Sequence, residues 1–384
     1  MKHNNLPVVA QVVQHLQQGG IETMVLDLMK HQDFNTLIFS LEGSKEEALK
    51  RWPRLTTVSK QLIFLNKQPG LSYRTLRQLI SLFKLFKVSA VHTHHIGPLI
   101  YGGMAAKLLG VKNHIHTEHD TWHLMNVKRR FIQRFILSVL SPQLVADAEV
   151  VAVQLQQKLD YKQPLIIHNG IDTERFVPGN QQWAKRLFKL ERIPLLIGTS
   201  GRLVPVKAQD LLIKALANLP QQVHLAIAGT GPSEKELKAL AVQLNVSSRV
   251  HFLGAIDNMP AFYQMLDVFC LSSTHEGLPL SPLEAQACNI PSVITRVGGA
   301  AEALCPHFGS LIPSGDIEAM TQSLHRELFY ERAFSQSYSN EFPIESLEQH
   351  FDSPRDFIVK HRCVKAMAQA YARLINHQMI EGAL

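Results

Sequence analysis

The sequence predicts an α/β protein of two Rossmann-like, doubly wound parallel-sheet domains. Three observations carry that expectation. The chain is 384 residues long, enough for two or three domains. Short apolar runs alternate with amphipathic helical segments, the pattern of parallel strands joined by crossover helices. The alternation pauses at a polar stretch, Thr173 to Pro194, rich in Asn, Gln, Lys and Pro, and then restarts.

Taken in order, the first half places strands at Val8 to Val13, Thr36 to Leu41, Ala90 to Thr93, Lys112 to His116 and Leu165 to Ile167. Helical spacing fills Ile21 to Lys30, Tyr73 to Phe86 and Asn126 to Leu140. The second half places strands at Leu195 to Ser200, Val223 to Ala228, Val250 to Leu253, Val268 to Leu271, Ser292 to Thr295 and Gly309 to Ile312. Apolar positions Ile358, Val364, Met367, Ala368 and Tyr371 make the end of the chain helical. The expected division is one α/β domain over residues 1–172, a second over 173–352, and a C-terminal helix over 353–384 that crosses back and packs across both. Parallel sheets bind ligands outside the carboxyl ends of their strands, so two in series are expected to face a common cleft.

Composition narrows the class. Hydrophobic residues make up 46% and charged residues 18%, which excludes disordered and fibrous chains. Cys270, Cys288, Cys305 and Cys363 form no CxxC pair, so a reducing, cytoplasmic setting is expected. No uninterrupted apolar run of about 18 residues occurs, and neither a signal peptide nor a spanning helix is expected. The net charge of +7 is uneven: residues 1–172 hold 20 Lys/Arg against 12 Asp/Glu, and residues 173–384 hold 19 against 20. Between Glu47 and Glu118 there are eleven basic residues and no acidic one. An anionic partner for that half follows, whether nucleic acid, a phosphorylated ligand or an anionic membrane face, with the membrane face favoured. No basic patch interleaved with aromatics appears, so nucleic acid is not expected.

Loops after the strands carry the candidate chemistry. Gly19-Gly20 opens a helix whose N–H groups could receive a phosphate, or it is only a tight turn. Gly201-Arg202-Leu203 and Lys207 could clamp a diphosphate, or they are two surface cations. Thr230-Gly231-Pro232 lacks the third glycine of a dinucleotide fingerprint, which disfavours a dehydrogenase. No Asp-x-Asp is present, so no metal and no cofactor is expected, and protein cations must neutralise phosphate charge. Glu276 follows a buried strand directly and Glu284 lies eight positions on. Ser281, Pro282 and Glu284 also spell a capping box. His116, His119 and His123 have the spacing HxxHxxxH, yet a strand running into a loop there favours packed histidines over zinc.

Here the sequence resembles the retaining glycosyltransferases of the GT-B fold, group four, over nearly the whole chain. The paired glutamates at 276 and 284 are that family's main signature. Further matches run in order: Gly19-Gly20, HTHH at His92 to His95, His119-Asp120, HNGID at His168 to Asp172, GRL with Lys207, and Gly298-Gly299 with Glu302. Ala208 and Asn289 depart from it, each standing where glycine is usual. The resemblance implies that Arg202 and Lys207 hold the diphosphate of a nucleotide-sugar donor and Glu284 the ribose. It places Glu276 at the donor sugar, Ile256 against the base, and His119 near the reacting carbon. Backbone amides of Gly20, Gly277, Leu278 and Leu280 would add phosphate donors. The implied reaction moves a hexose to a hydroxyl of a sugar or lipid-linked acceptor in surface polysaccharide or glycolipid assembly. A sugar-nucleotide epimerase and a non-catalytic sugar-nucleotide binding protein remain as alternatives.

Overall fold

A computed structural model describes residues 6–161, 163–329 and 353–381. They form two units, residues 1–169 with 364–384 and residues 170–363.

The first unit is a seven-stranded parallel sheet: β1 (Val8–Val13), β2 (Asn35–Ser40), β3 (Leu62–Phe64), β4 (Val88–His94), β5 (Asn113–Glu118), β6 (Gln143–Ala146) and β7 (Leu165–Ile166). Their spatial order is β3-β2-β1-β4-β5-β6-β7, so the direction of winding reverses between β1 and β4. The five expected strands are present within two residues at each end. β3 and β6, of three and four residues, were not expected. Side chains of β1 divide by period two. Val9 and Val13 pack with Met24 and Leu28 of the helix Gly20–His31, while Ala10 and Val12 pack with Leu79 and Phe83 of the helix Tyr73–Leu85.

The second unit is a six-stranded parallel sheet: β8 (Leu195–Ser200), β9 (Val223–Ala228), β10 (Val250–Gly254), β11 (Val268–Leu271), β12 (Ser292–Thr295) and β13 (Ser310–Ile312). The order is β10-β9-β8-β11-β12-β13, with the reversal between β8 and β11. All six match their expected positions to within one residue. Ile197, Leu225, Val268 and Val293 build its core with Leu212 and Leu216 of the helix Gln209–Ala217.

The end of the chain corrects the expectation of a single closing helix. It contains two: Pro354–His361, which packs on the helix Leu280–Ala287 in the second unit, and Val364–Glu381, which packs on Gly20–His31 and β5 in the first. Arg362 at the end of the first breaks the run, and Val364, Met367, Ala368 and Tyr371 join the first unit's core. No helix among the described residues is long and apolar enough to cross a membrane.

Candidate active site

In the second unit the loops after β8, β9 and β11 are laid backbone on backbone. Gly201 donates its N–H to Ala228 O at 3.0 Å, and Leu203 donates to Thr230 O at 2.9 Å. Gly229 has φ +136° and sits so close that a Cβ there would lie 1.9 Å from Gly201 O. Only glycine satisfies both constraints. This loop carries Arg202, whose side chain is exposed and joins no ion pair among the described residues, and ends in the turn Pro205–Lys207. Lys207 reaches back to the β11 loop, where its Nζ lies 2.5 Å from Glu276 Oε1. Ser273 Oγ donates to the same oxygen at 2.6 Å, and Ser272 Oγ donates to Lys207 O at 2.9 Å. The cation and the carboxylate are thus fixed on each other, and Glu276 Oε2 accepts no hydrogen bond from a described residue.

Glu284 lies on the helix Leu280–Ala287 beyond the same loop. The capping-box expectation is overturned. Pro279 occupies the N-cap position, Ser281 is already helical, and no side chain caps this end. Glu284 Oε2 instead accepts a 2.6 Å hydrogen bond from Tyr263 OH, which in turn lies 3.0 Å from Ser200 Oγ. Burial, with the Glu284 charge beside it, holds the Tyr263 phenol well above its usual range, so it stays a donor. Gly277 is half-buried, and Leu278 and Ile256 are buried in the loops after β11 and β10.

In the first unit a polar layer runs through the core. Gln11 on β1, His92 and His94 on β4 and Thr117 on β5 share the sheet face covered by the helix Val364–Glu381. His92 Nε2 lies 2.8 Å from Thr117 Oγ1, which lies 2.9 Å from Tyr371 OH. His94 bridges Gln11 Oε1 at 2.9 Å and His119 Nε2 at 3.1 Å. His119 Nδ1 then lies 3.1 Å from Asp147 Oδ2, an oxygen that also accepts from Asn169 at 2.9 Å. Both ring nitrogens of His119 are therefore engaged by protein. Burial drives His92 and His94 well below the usual histidine range, and His114 down to about 3. Asp147 is raised by the same burial despite its partners. For Glu118 burial pushes upward, but the hydrogen bond and charge of His116 win and hold it below the usual range. Gly20, the first residue of its helix, is exposed. Among the described residues no group of three or more His, Cys, Asp or Glu converges as metal ligands.

Comparison with known proteins fits this geometry. The family described as Glycosyltransferase Family 4 matches residues 18–175, and the one described as Glycosyl transferases group 1 matches residues 184–329. The chain belongs to these glycosyltransferases. This glycosyltransferase is 28% identical over 275 residues to the UDP-Gal:alpha-D-GlcNAc-diphosphoundecaprenol alpha-1,3-galactosyltransferase of Escherichia coli, covering 66% of this chain and 70% of that one. It is 36% identical over 170 residues to the GDP-mannose-dependent alpha-(1-6)-phosphatidylinositol monomannoside mannosyltransferase of Mycolicibacterium smegmatis, covering 40% and 44%. The crystal structure of Anabaena Alr3699/HepE in complex with UDP and glucose superposes with a TM-score of 0.78 at 17% identity, over 97% of this chain and 100% of that one. That likeness shows the fold, GT-B.

Within the glycosyltransferase, the structure brings Lys207 and Glu276 into contact and sets Arg202, Gly277 and Leu278 on the same two strand-end loops, with Leu280 and Glu284 on the helix that follows the second. Ile256 follows β10 at the same end of that sheet, while Gly20 and His119 follow β1 and β5 in the first unit. Sequence reasoning missed Ser273, Tyr263 and Asp147. Asp147 follows the unexpected β6, and Leu144-Val145-Ala146 before it was the available signal.

Proposed function

We propose that this glycosyltransferase moves a hexose from a nucleoside diphosphate sugar to a hydroxyl of a sugar or lipid-linked acceptor, with retention and without a metal or cofactor. The observation that carries the reading is the Lys207–Glu276 pair, 2.5 Å apart at the reversal point of the second sheet, beside an exposed Arg202. Negative charge grows on the departing diphosphate, and fixed cations placed beforehand stabilise it without reorganising. Arg202 and Lys207 serve that charge, joined by the amides of Gly277, Leu278 and Leu280. Glu276 offers its second oxygen to the donor sugar, whose transition state is oxocarbenium-like. Glu284, held through one oxygen by Tyr263, takes the ribose, and Ile256 lies against the base. His119 and retention rest on the family resemblance alone.

A membrane-borne acceptor fits an exposed surface of the first unit. Met125, Val127, Phe131, Ile132 and Phe135 are all exposed around the helix Val127–Leu140, with Phe131 72% accessible, while Lys128, Arg129 and Arg134 share that helix. We assign this surface to reversible docking on an anionic cytoplasmic membrane face. Assembly of a surface polysaccharide or glycolipid follows from an acceptor held there.

Nucleoside diphosphate release from a panel of UDP, GDP and ADP sugars, with and without EDTA, tests the reaction. One donor should be consumed and EDTA should leave the rate unchanged. Arg202→Ala and Lys207→Ala should each cost about 2–3 kcal/mol in kcat/KM. Glu276→Gln should keep the fold while lowering kcat by about two to four orders of magnitude. Unaltered rates in all three variants would remove these loops from the site.

A further inference from the structure

The first unit's sheet reverses its winding between β1 and β4, and ligands of such sheets sit outside the strand ends at that crevice. The residue immediately beyond β4 is His95. Its backbone is held at φ 69° and ψ 164°, a region that side chains other than glycine's scarcely enter. Its neighbours hold it there: its carbonyl accepts from Leu99 N–H at 3.0 Å, and a Cβ on Gly97 would meet Gln14 Oε1 of the loop after β1. The imidazole is half-buried, and neither ring nitrogen has a hydrogen-bond partner among the described residues. It lies edge-on to His119 with ring centroids 5.9 Å apart. His119 cannot offer a nitrogen outward, because Asp147 takes one and His94 the other, each at 3.1 Å.

We propose that His95 is a substrate-binding imidazole of the first unit, hydrogen-bonding a sugar hydroxyl beside His119, whose ring Asp147 and His94 hold in place. The proposal rests on the sugar-transfer reading above and adds the group that meets the sugar. His95 faces His119 and His94, and the carboxylates of Glu118 at the end of β5, Asp120 from the loop after it and Glu22 from the helix after β1. Burial, with His119 beside it, outweighs those carboxylates and holds the His95 pKa below the ordinary histidine value, so the ring is neutral near pH 7, with one nitrogen able to accept a proton and the other to donate. A neutral imidazole matches a hydroxyl, which both donates and accepts. The hydroxyl belongs either to donor or to acceptor, and the two sources separate by experiment.

The test uses the full chain and the variants His95→Gly and His95→Gln. Glycine removes the ring and relieves the backbone, so its Tm should rise, by about 2 °C. Hydrolysis of UDP-galactose, UDP-glucose and GDP-mannose in the absence of acceptor reads the donor arm. If the hydroxyl is the donor's, kcat/KM should fall about tenfold to a hundredfold in His95→Gly and recover in part in His95→Gln, without the acidic limb of the wild-type pH profile. If it is the acceptor's, hydrolysis stays at the wild-type rate. The ring ¹⁵N signals of wild-type His95 then shift on titration with methyl β-galactoside. A wild-type rate in His95→Gly with no ¹⁵N shift overturns the proposal, as does a fall in Tm that accompanies lost activity. A wild-type protein inert toward every donor overturns the donor reading instead, and the glycoside titration still decides the role of His95.

Discussion

Ala208 and Asn289 stand where the family usually has glycine, yet their backbones take the left-handed path all the same, at φ 48° and 65°. For Ala208 that path costs about 1–2 kcal/mol, and it is held because Lys207 just before it must turn toward Glu276. Gly298 is a different matter. At φ +50° it is left-handed too, and a Cβ there would lie 1.8 Å from the carbonyl oxygen of Glu276. Gly298→Ala cannot be absorbed by a rotamer change, since the opposing atom is backbone. It should destabilise the second unit by at least about 2 kcal/mol and lower kcat by moving Glu276. Urea unfolding read through a second-unit probe, together with donor hydrolysis, checks both; a fold and a rate like the wild type's would show that the β11 loop tolerates displacement. At this scale the sequence disclosed residue types but not pairings. Glu276 and Lys207 were legible as candidate groups, whereas their contact spans 69 residues and no local spacing encodes it.

The elements of the first sheet carry a pH dependence that follows from burial. His92 and His94 on β4 and His114 on β5 are held neutral, with pKa values pushed below the ordinary 6.5. The unfolded chain binds protons at these sites below about pH 6.5 and the folded chain does not, so stability is whole above that pH and drains away beneath it. Each histidine costs up to about 1.4 kcal/mol per pH unit in that window. His123 acts in the opposite sense and in another window: despite burial, Asp120 and Glu118 raise it, so it adds stability as pH falls toward 6.5 and no slope beneath that. Glu118, lowered, loses its contribution only in the carboxylate range. The three lowered histidines together approach a loss of about 4 kcal/mol per pH unit by about one unit below pH 6.5. Urea unfolding at pH 7.5 and 5.5, read through the buried Trp52 of the first unit, measures it. An unmoved midpoint would mean that the layer admits protons freely. This layer was half legible. β4 was read as a strand and HTHH as a family motif, but Gln11 and Thr117 looked like ordinary strand positions, and Tyr371 reaches Thr117 across 254 residues. β3 and β6 stayed hidden although strands as short, β7 and β11 to β13, were read to within two residues: β3 follows the helical turn Pro53–Gln61 without a break and β6 follows the helix Val127–Leu140 after two residues, so their apolar residues read as a continuation of the helix before.

For the molecule as a whole, the charge asymmetry needs a cause that phosphate binding in the second unit does not supply. The fold turns the basic residues outward: Arg74, Arg77 and Lys84 are exposed on the helix Tyr73–Leu85, as are Lys128, Arg129 and Arg134 on Val127–Leu140. An ordinary solvated basic helix would bury its aromatics, which is what spacing alone suggests for Phe131 and Phe135. The structure does the reverse, since Gln133, Leu137 and Leu140 face the core and both phenylalanines are outside. Gln133 is drawn inward by bonds to Glu118 at 2.8 Å and His123 at 2.7 Å, and the helix turns accordingly. Water gains nothing from a Phe at 63% or 72% exposure, whereas inserting each into a lipid interface recovers about 1.5–3 kcal/mol. Each cation near an anionic surface adds on the order of 1 kcal/mol, and salt weakens that part only. The two contributions therefore separate in one sedimentation experiment with phosphatidylglycerol and phosphatidylcholine vesicles. Binding should rise with anionic lipid and fall with salt. Reversing Arg74, Arg77 and Lys84 to Glu should remove most of the salt-sensitive part. Phe131→Ser with Phe135→Ser should weaken binding at every salt concentration and leave donor hydrolysis untouched, because both side chains lie outside the catalytic loops. Equal binding by the doubly substituted protein would take the helix Val127–Leu140 out of the membrane contact, and no binding to anionic vesicles would return the acceptor to solution.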